Sequence, residues 1–178
     1  QRAAVQAAKI GKRVAIVERR RMVGGVSLHT GTVPSKTFRE AVLSLTHVSA
    51  LSAGTPTHRP KPTIHDLLHR VNHVIERELD VVARQLSRNN IDLVSGSARF
   101  LDPHTIAIDG GAMEHHASAE HILIATGSIP ADPPVPCDHK TILTSDDIVN
   151  LKRIPKSLAV IGGGVIGIEY ASMFAELG

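Results

Sequence analysis

Residues 24–36 read Gly24-Gly25-Val26-Ser27-Leu28-His29-Thr30-Gly31-Thr32-Val33-Pro34-Ser35-Lys36. The glycines leave backbone amides uncovered and permit positive φ angles, and Pro34 suits the first turn of a following helix because its φ is already fixed. A glycine-rich loop that leads into a helix N-terminus attracts anions, since free N–H groups and the helix dipole both favour negative charge. Read alone, the stretch is either a phosphate or cofactor loop with Lys36 as its cation, or an ordinary glycine-rich turn.

A second glycine motif follows the apolar run 158–161, which predicts a strand. Residues 162–167 fit the pattern Gly-x-Gly-x-x-Gly and precede a predicted helix. In dinucleotide-binding folds the first glycine makes the tight turn, the second admits the pyrophosphate and the third lets the helix pack on the strand. We therefore predict that Gly162, Gly164 and Gly167 bind a dinucleotide. The residue that selects NAD or NADP is expected about twenty positions further on, so the sequence does not choose between them.

The N-terminal segment has the pattern of the second half of a βαβ unit. Residues 3–10 predict a buried helix that stops at Gly11, and residues 14–17 predict a short strand closed by Glu18. An acidic residue at this place in dinucleotide folds bonds the adenosine ribose. Glu18 is therefore a candidate cofactor ligand, and the alternative is a solvated strand end. The first strand of the unit is expected upstream of Gln1.

The segments between the two glycine motifs alternate between helix and strand patterns. Apolar residues at helical spacing predict two helices, and shorter apolar runs around turn residues predict strands and a hairpin. The predicted elements are helices over 35–51 and 64–86 joined by a proline-containing linker over 54–62, strands over 91–94 and 96–100, a hairpin around 109–111, a buried parallel strand over 121–125 and a short helix that starts at Ser145.

Composition narrows the class of protein. The chain has 178 residues, 42% of them hydrophobic but only 2% aromatic, so we expect an aliphatic core. The net charge of +3 and the short cluster Arg19-Arg20-Arg21 are weak signals for nucleic acid, and the apolar runs fall short of the roughly 18 residues that a membrane helix needs. Cys137 is the only cysteine, so no disulfide framework is possible and it reads as structural.

Three histidines lie four residues apart on the predicted helix 64–86. His65, His69 and His73 could offer two ligands to one zinc ion, but acidic residues continue the same stripe and no third ligand is evident. A solvated polar face explains them better. We expect no metal site, no nucleic-acid partner and no membrane partner.

The first glycine stretch resembles the redox loop of the two-dinucleotide-binding flavoprotein oxidoreductases. The shared features are the Gly-Gly pair, Ser27, Thr32 five positions on, and Pro34-Ser35-Lys36. This family, the pyridine nucleotide-disulfide oxidoreductases, includes dihydrolipoamide dehydrogenase, mercuric reductase, glutathione reductase and soluble pyridine nucleotide transhydrogenase. Most members carry cysteines where this chain has Ser27 and Thr32. The transhydrogenase branch, with Gly-Thr-Ile-Pro-Ser-Lys and no second cysteine, is more similar.

The resemblance implies an α/β fold with two domains. Residues 1–154 would form an incomplete Rossmann-like FAD-binding domain in three layers, with a parallel sheet and a small antiparallel hairpin sheet. Residues 155–178 would start a second Rossmann-like domain that binds NAD(P). The resemblance further implies a cytoplasmic protein with nicotinamide dinucleotides as substrates, which forms a homo-oligomer through a region outside this chain.

The resemblance also assigns roles to individual residues. Lys36 would lie by the reactive nitrogen of the flavin, paired with Glu169, and these two would be the catalytic pair. A fixed cation there favours the reduced, anionic ring, and a carboxylate orients the cation; the alternative is that each is a surface charge. The positions implied for cofactor binding are Glu18, Gly24, Gly25, Ser27, Lys36, Ala98, Thr126 and Gly127 for FAD, and Gly162, Gly164, Gly167 and Glu169 for NAD(P).

The hydroxyls of Ser27 and Thr32 restrict the chemistry. A thiol–disulfide relay needs two thiolates, whereas hydride transfer between a flavin and nicotinamides needs none. We therefore expect a transhydrogenase-like oxidoreductase that passes hydride between NADPH and NAD through FAD. The alternatives are a degenerate flavoprotein similar to dihydrolipoamide dehydrogenase, and an inactive truncated fragment that folds poorly and binds FAD weakly in isolation.

Overall fold

The computed structural model of the chain describes residues 1–20, 23–51, 62–111, 113–131 and 133–178, with the backbone alone for 47–51. These residues form two compact units. The first unit comprises Gln1–Gly25 and Glu78–Gly127, and the second unit comprises Val26–Arg77 and Ser128–Gly178.

Among the described residues, all strands belong to the first unit, whereas the second unit contains helices. In chain order the elements are α1 (Arg2–Lys9), β1 (Ala15–Glu18), α2 (Gly25–His29), α3 (Thr32–Leu51), α4 (Ile64–Arg88), β2 (Asp92–Ser95), β3 (Ser97–Asp102), β4 (Thr105–Asp109), β5 (Glu114–Ser118), a short 3-10 helix (Ser145–Asn150) and α5 (Val165–Leu177).

The first unit contains a parallel and an antiparallel sheet, as the α/β prediction requires. Strand β1 pairs in parallel with β2, in a register that places Glu18 opposite Ser95. Strands β3, β4 and β5 form an antiparallel sheet in that order, and the predicted turn 109–111 joins β4 to β5. Ala107 and Ile108 of β4 are buried, so this middle strand is the one that contributes to the core.

Helix α1 ends where the sequence predicts but is not buried. Gly11 adopts a φ of 82°, and its N–H donates to the carbonyl of Ala8 at 2.9 Å while that of Lys12 donates to Ala7 at 3.1 Å. This is a glycine-dependent helix stop. The prediction of a buried helix is wrong, because no residue of α1 is buried. The small side chains on its alanine-rich face are only partly covered.

Helix α4 is the long amphipathic helix that the spacing predicts. It begins with a capping box, because Thr63 N–H donates to Asp66 Oδ2 at 2.9 Å and Asp66 N–H donates to Thr63 Oγ1 at 3.2 Å. His65, His69 and His73 are all exposed, as expected for a solvated face. The predicted linker 54–62 lies outside the described residues except for Pro62.

The core of the second unit joins α3, the first half of α4, the 3-10 helix and α5. Phe38 is its centre, with ring centroids 6.4 Å from Tyr170 and 5.8 Å from Phe174. The expectation of an aliphatic core is wrong here, because three of the four aromatic residues of the chain meet in this one cluster. The other buried members are Ala41, Val42, Ile64, Leu67, Val71, Ile148 and Met173.

Two apolar runs predicted as strands do not form strands, and the burial predicted for 121–125 is also wrong. Leu123 and Ile124 are 71% and 67% exposed, and Ile161 is 74% exposed. A run of apolar residues becomes a strand only when a neighbouring strand takes up its backbone hydrogen bonds. Among the described residues, β1 and β2 form the parallel ladder and neither 121–125 nor 158–161 joins it.

The described helices include none that is both long enough and apolar enough to cross a membrane.

Candidate functional site

The first glycine stretch is mostly helical rather than an open loop. Gly24 and Gly25 have positive φ angles of 125° and 59°, but α2 starts at Gly25 and only Thr30 and Gly31 separate it from α3. Gly31 N–H donates to the carbonyl of Val26 at 2.7 Å, and a Cβ at Gly31 would lie 3.0 Å from that oxygen. The open backbone that the sequence predicts is therefore confined to the Gly-Gly pair, because this tight turn closes the rest.

The remaining predicted residues of this stretch lie on α2 and α3. Pro34 is in the first turn of α3, as predicted, and its side chain is fully buried. Lys36 lies one half-turn later with an exposed side chain, and the hydroxyls of Ser27 and Thr32 are also exposed. Exposed hydroxyls and an exposed ammonium group can donate hydrogen bonds to a bound anion or ring.

The catalytic pair implied by the resemblance is carried by two helices that pack together. Phe38, two residues after Lys36, contacts the ring of Tyr170, which directly follows Glu169. Among the described residues, no salt bridge joins the side chains of Lys36 and Glu169. The two helices pack together, and the ion pair stays a prediction.

Tyr170 is the buried titratable group in this contact. Burial raises the pKa of its phenol to about 12, and the negative charges of Glu169 and Asp146 act in the same direction. The phenol is therefore neutral throughout the physiological range, and it serves as a packing group rather than as a base.

The second glycine motif has the backbone geometry that a dinucleotide turn requires. Gly162 has a φ of 107° and Gly164 is the N-cap of α5. A Cβ at Gly164 would meet nothing within 4 Å, whereas a Cβ at Gly167 would lie 3.0 Å from both the Gly162 carbonyl and Val160 Cγ1. The first glycine therefore turns the chain, the second leaves open space, and the third permits close packing. A pyrophosphate fits this turn, since the free N–H groups of α5 face the same end.

Glu18 and Ala98 are brought to one end of the parallel pair. The carbonyl of Glu18 accepts a hydrogen bond from Gly96 N–H at 3.0 Å, and Ala98 lies two residues further along the chain on β3. The Glu18 carboxylate accepts the N–H of Arg20 at 2.9 Å through Oε1. A carboxylate at the end of this strand is an acceptor of the kind that a ribose hydroxyl needs.

Gly96 is a structural requirement that sequence reasoning missed. A Cβ there would lie 2.6 Å from the carbonyl oxygen of Asp109 and 2.7 Å from Ile108 Cγ2. No larger residue fits between β2 and β3 without moving β4. The sequence does contain a signal for this requirement, because Gly96 stands between two segments that predict strands.

Thr126 and Gly127 lie in the exposed segment that follows residues 121–125, which do not form the predicted strand. Gly127 has a φ of 78°, and open space surrounds the position that a Cβ would occupy. Close approach by a ligand is therefore possible at Gly127, although the strand expected to present it is absent from the described structure.

Three comparisons with known proteins bear on the identity of the chain. The family model described as pyridine nucleotide-disulphide oxidoreductase matches residues 1–178. A protein from Mycobacterium bovis named soluble pyridine nucleotide transhydrogenase is 52% identical over 183 residues, which cover 100% of this chain and 39% of the relative. A protein of the same name from Colwellia psychrerythraea is 39% identical and is covered to 38%.

Two solved structures show how similar the chain is to known folds. The HOCl-induced flavoprotein disulfide reductase RclA from Escherichia coli superimposes with a TM-score of 0.80 at 31% identity, over 98% of this chain and 37% of that one. LpdA from Mycobacterium tuberculosis gives a TM-score of 0.81 at 25% identity, over 98% and 39%.

The chain thus spans about two fifths of the length of the relatives that it matches. The match of the family model extends over every residue. The chain belongs to the pyridine nucleotide-disulphide oxidoreductase family, whose members are FAD-dependent oxidoreductases that use NAD(P) and have a Rossmann-like α/β fold.

Proposed function

We propose that the protein containing this chain transfers hydride between NADPH and NAD, and that FAD, when bound, would supply the redox chemistry for this transfer. One observation carries the proposal. The sequence carries the glycine motifs of both proposed cofactor sites, while the two positions that hold cysteines in most of the family are Ser27 and Thr32. A hydroxyl cannot take part in thiol–disulfide exchange, so disulfide chemistry at this position is not available to the protein.

The residues proposed for FAD divide by the part of the cofactor that they would hold. Glu18 would accept a ribose hydroxyl through its carboxylate, and the backbone of Ala98 would contact the adenine. The Gly-Gly pair at Gly24 and Gly25 would let the pyrophosphate approach the backbone. Thr126 and Gly127 would lie beside the cofactor, and Ser27 would offer a hydroxyl donor in place of a thiol.

Lys36 is proposed as the residue that sets the electrostatics of the reaction. Its ammonium group would stabilise negative charge on the ring, because a fixed cation is most effective where charge develops. Glu169 would orient the ammonium group. The packing of Phe38 on Tyr170 supports this role, since it fixes α3 against α5, and a charge is positioned well only when the helix that carries it is rigid.

The nicotinamide cofactor is proposed to bind at the start of α5. Gly162, Gly164 and Gly167 would give the pyrophosphate a turn without side chains, and the N–H groups of the first turn would donate to it. Residues 155–178 would then be the opening of an NAD(P)-binding domain, and residues 1–154 would belong to the FAD-binding domain. The remainder of each domain would come from sequence outside this chain.

A disulfide reductase is the second candidate, because the similar solved structures include a protein with that title. The two functions are separated by a steady-state assay of the FAD-loaded protein. We expect NADPH-dependent reduction of an NAD analogue, and no NADPH-dependent reduction of lipoamide or oxidised glutathione. Reduction of a disulfide without transfer between nicotinamides would replace the proposal by the second candidate.

Variants of α3 test the proposed site. We expect Lys36→Met to lower the rate of transfer at least about tenfold, as removal of a preorganised charge does. Arg39→Met is the matched control, since Arg39 is also an exposed cation on α3. Equal rates in both variants would remove Lys36 from the proposed site.

A further inference from the structure

A cysteine, a histidine and an aspartate lie together in the second unit, outside every site described above. Cys137 Sγ is 3.7 Å from His139 Nδ1, and His139 Nδ1 is 3.0 Å from Asp147 Oδ1. One donor atom from each side chain lies within 4.8 Å of the other two. Within the described ranges, this is the one set of three or more potential metal ligands that is so close.

The distances between the three atoms are close to those that a metal ion imposes. Tetrahedral zinc binds sulfur at about 2.3 Å, imidazole nitrogen at about 2.0–2.1 Å and carboxylate oxygen at about 2.0–2.2 Å. Those bond lengths imply a sulfur–nitrogen separation of about 3.6 Å and a nitrogen–oxygen separation of about 3.4 Å. The first matches the observed 3.7 Å, and the second needs only a few tenths of an ångström of side-chain movement.

The backbone around the cluster is fixed without any ion. Asp138 Oδ1 accepts the N–H groups of Lys140, Thr141 and Ile142 at 2.8, 2.7 and 2.8 Å. These bonds lower the pKa of the Asp138 carboxyl to about 2. His139 adopts a φ of 56° in this turn. The turn therefore presents the side chains on either side of Asp138 to the same point.

Asp147 is held in place by the start of the 3-10 helix. Its Oδ2 accepts Thr144 N–H at 2.7 Å and Thr144 Oγ1–H at 3.0 Å. His139 Nδ1 lies 3.0 Å from Oδ1 and 3.1 Å from Oδ2. The carboxylate is thus preorganised, and its side chain is only 19% exposed.

We propose that Cys137, His139 and Asp147 bind a divalent transition metal of zinc type, with water in the fourth position. The set mixes one soft ligand with two harder ones, which suits borderline cations such as Zn²⁺ and Co²⁺. Binding replaces the hydrogen bond from Cys137 Sγ–H to the Ile142 carbonyl, now 2.8 Å, and the thiol proton is released to solvent. His139 is 66% exposed, so the ion reaches the ligands directly from solvent.

The cluster escaped sequence reasoning because its members are not in a familiar spacing. The pattern is Cys-x-His with an aspartate eight residues later, in a proline-rich segment that predicts only a loop. The Asp138 turn and the Thr144 cap bring the three together, and neither is a metal motif. The expectation of no metal site rested on the histidine stripe of α4 and did not consider Cys137.

The test uses the FAD-loaded protein after treatment with a chelator. Co²⁺ is added anaerobically, and binding is followed by the thiolate-to-cobalt charge-transfer absorption and by its displacement with Zn²⁺. Cys137→Ser keeps a donor for the Ile142 carbonyl but removes the thiolate, so the charge-transfer absorption is expected to disappear. His139→Asn preserves the left-handed backbone, which asparagine tolerates, and is expected to weaken Co²⁺ binding at least about tenfold, as for loss of a ligand.

The matched control is His115→Asn, on β5 of the first unit, which is expected to leave Co²⁺ binding unchanged. Absence of the charge-transfer absorption in the unaltered protein would overturn the proposal, and the three side chains would then form a hydrogen-bonded cluster only. The same absorption in Cys137→Ser would also overturn it, because the thiolate would come from elsewhere in the protein. Since Cys137→Ser leaves the turn intact, a folding defect in His139→Asn does not decide the result.

Discussion

The ring of Phe38 packs edge-on against the ring of Tyr170, with centroids 6.4 Å apart and an interplanar angle of 63°. This contact connects the helix that carries Lys36 to the helix that carries Glu169. A second contact, from Phe38 to Phe174, follows one turn later on α5 at 5.8 Å. One buried side chain on α3 therefore contacts two successive turns of α5.

We predict that Phe38→Ala destabilises the protein by about 3–5 kcal/mol, the range for removal of a buried aromatic side chain. The loss should be large because Phe38 is only 2% exposed and contacts both aromatic rings of α5. Phe100→Ala is the control, since Phe100 on β3 is 50% exposed and its removal should cost clearly less. The measurement is urea unfolding at constant FAD concentration. Equal costs for both variants would show that Phe38 does not hold the helices together.

Alkaline pH should reveal the buried phenol of Tyr170. The folded pKa of about 12 exceeds the usual value, so only the unfolded chain loses its proton between about pH 10 and 12, and stability falls as the pH rises through that interval. The full loss is about 2–3 kcal/mol. Tyr170→Phe should remove this part of the pH dependence, measured as the unfolding free energy against pH. An unchanged slope in the variant would show that the phenol is not buried in the folded protein.

Gly167 and Gly163, two glycines of the second glycine motif, should respond differently to one added methyl group. Gly167→Ala places a Cβ 3.0 Å from the Gly162 carbonyl, so we expect α5 to shift and nicotinamide binding to weaken by about 1–3 kcal/mol, as overpacking does. Gly163→Ala is the control, because no atom lies within 4 Å of the added Cβ. Binding of NADH and NADPH by fluorescence titration is the measurement. A stronger effect of Gly163→Ala than of Gly167→Ala would contradict the assignment of close packing to the third glycine.

Asp138 should contribute to stability on the acid side. Its folded pKa of about 2 lies below the usual aspartate value of 3.8, so its contribution is present above pH 3.8 and is lost as the pH falls towards 2. Asp138→Asn should remove that part of the acid dependence and leave the loop less ordered at neutral pH. Amide hydrogen exchange of residues 140–142 is the direct readout. Unchanged protection of these amides in the variant would show that the carboxylate does not hold the turn.

Local signals account for the parts of the fold that the sequence predicts well. The capping box of Thr63 and Asp66, the glycine stop at Gly11 and the turn at 109–111 each depend on residues a few positions apart. Their backbone preferences act before any tertiary contact forms, and they appear in the structure as expected. The conformations of Gly162 and Gly167 belong to the same class, because the requirement for glycine is steric and local.

The features that were predicted wrongly depend on neighbours distant in the sequence. The apolar runs 121–125 and 158–161 would be strands beside a suitable partner, and a pattern alone does not reveal whether the partner is there. The aromatic cluster around Phe38 brings together residues more than a hundred positions apart, so a low aromatic content misled the expectation of an aliphatic core. The group of Cys137, His139 and Asp147 likewise depends on two turns that fold the loop back on itself.

The central claim is that FAD is the sole redox centre of the site, because Ser27 and Thr32 replace the cysteines. An anaerobic reductive titration of the FAD-loaded protein tests this claim most directly. We predict that one electron pair per FAD reduces the protein completely, with no thiolate-to-flavin charge-transfer absorption at any stage. Uptake of two electron pairs per FAD, with that absorption after the first, would show a redox-active disulfide and would contradict the account.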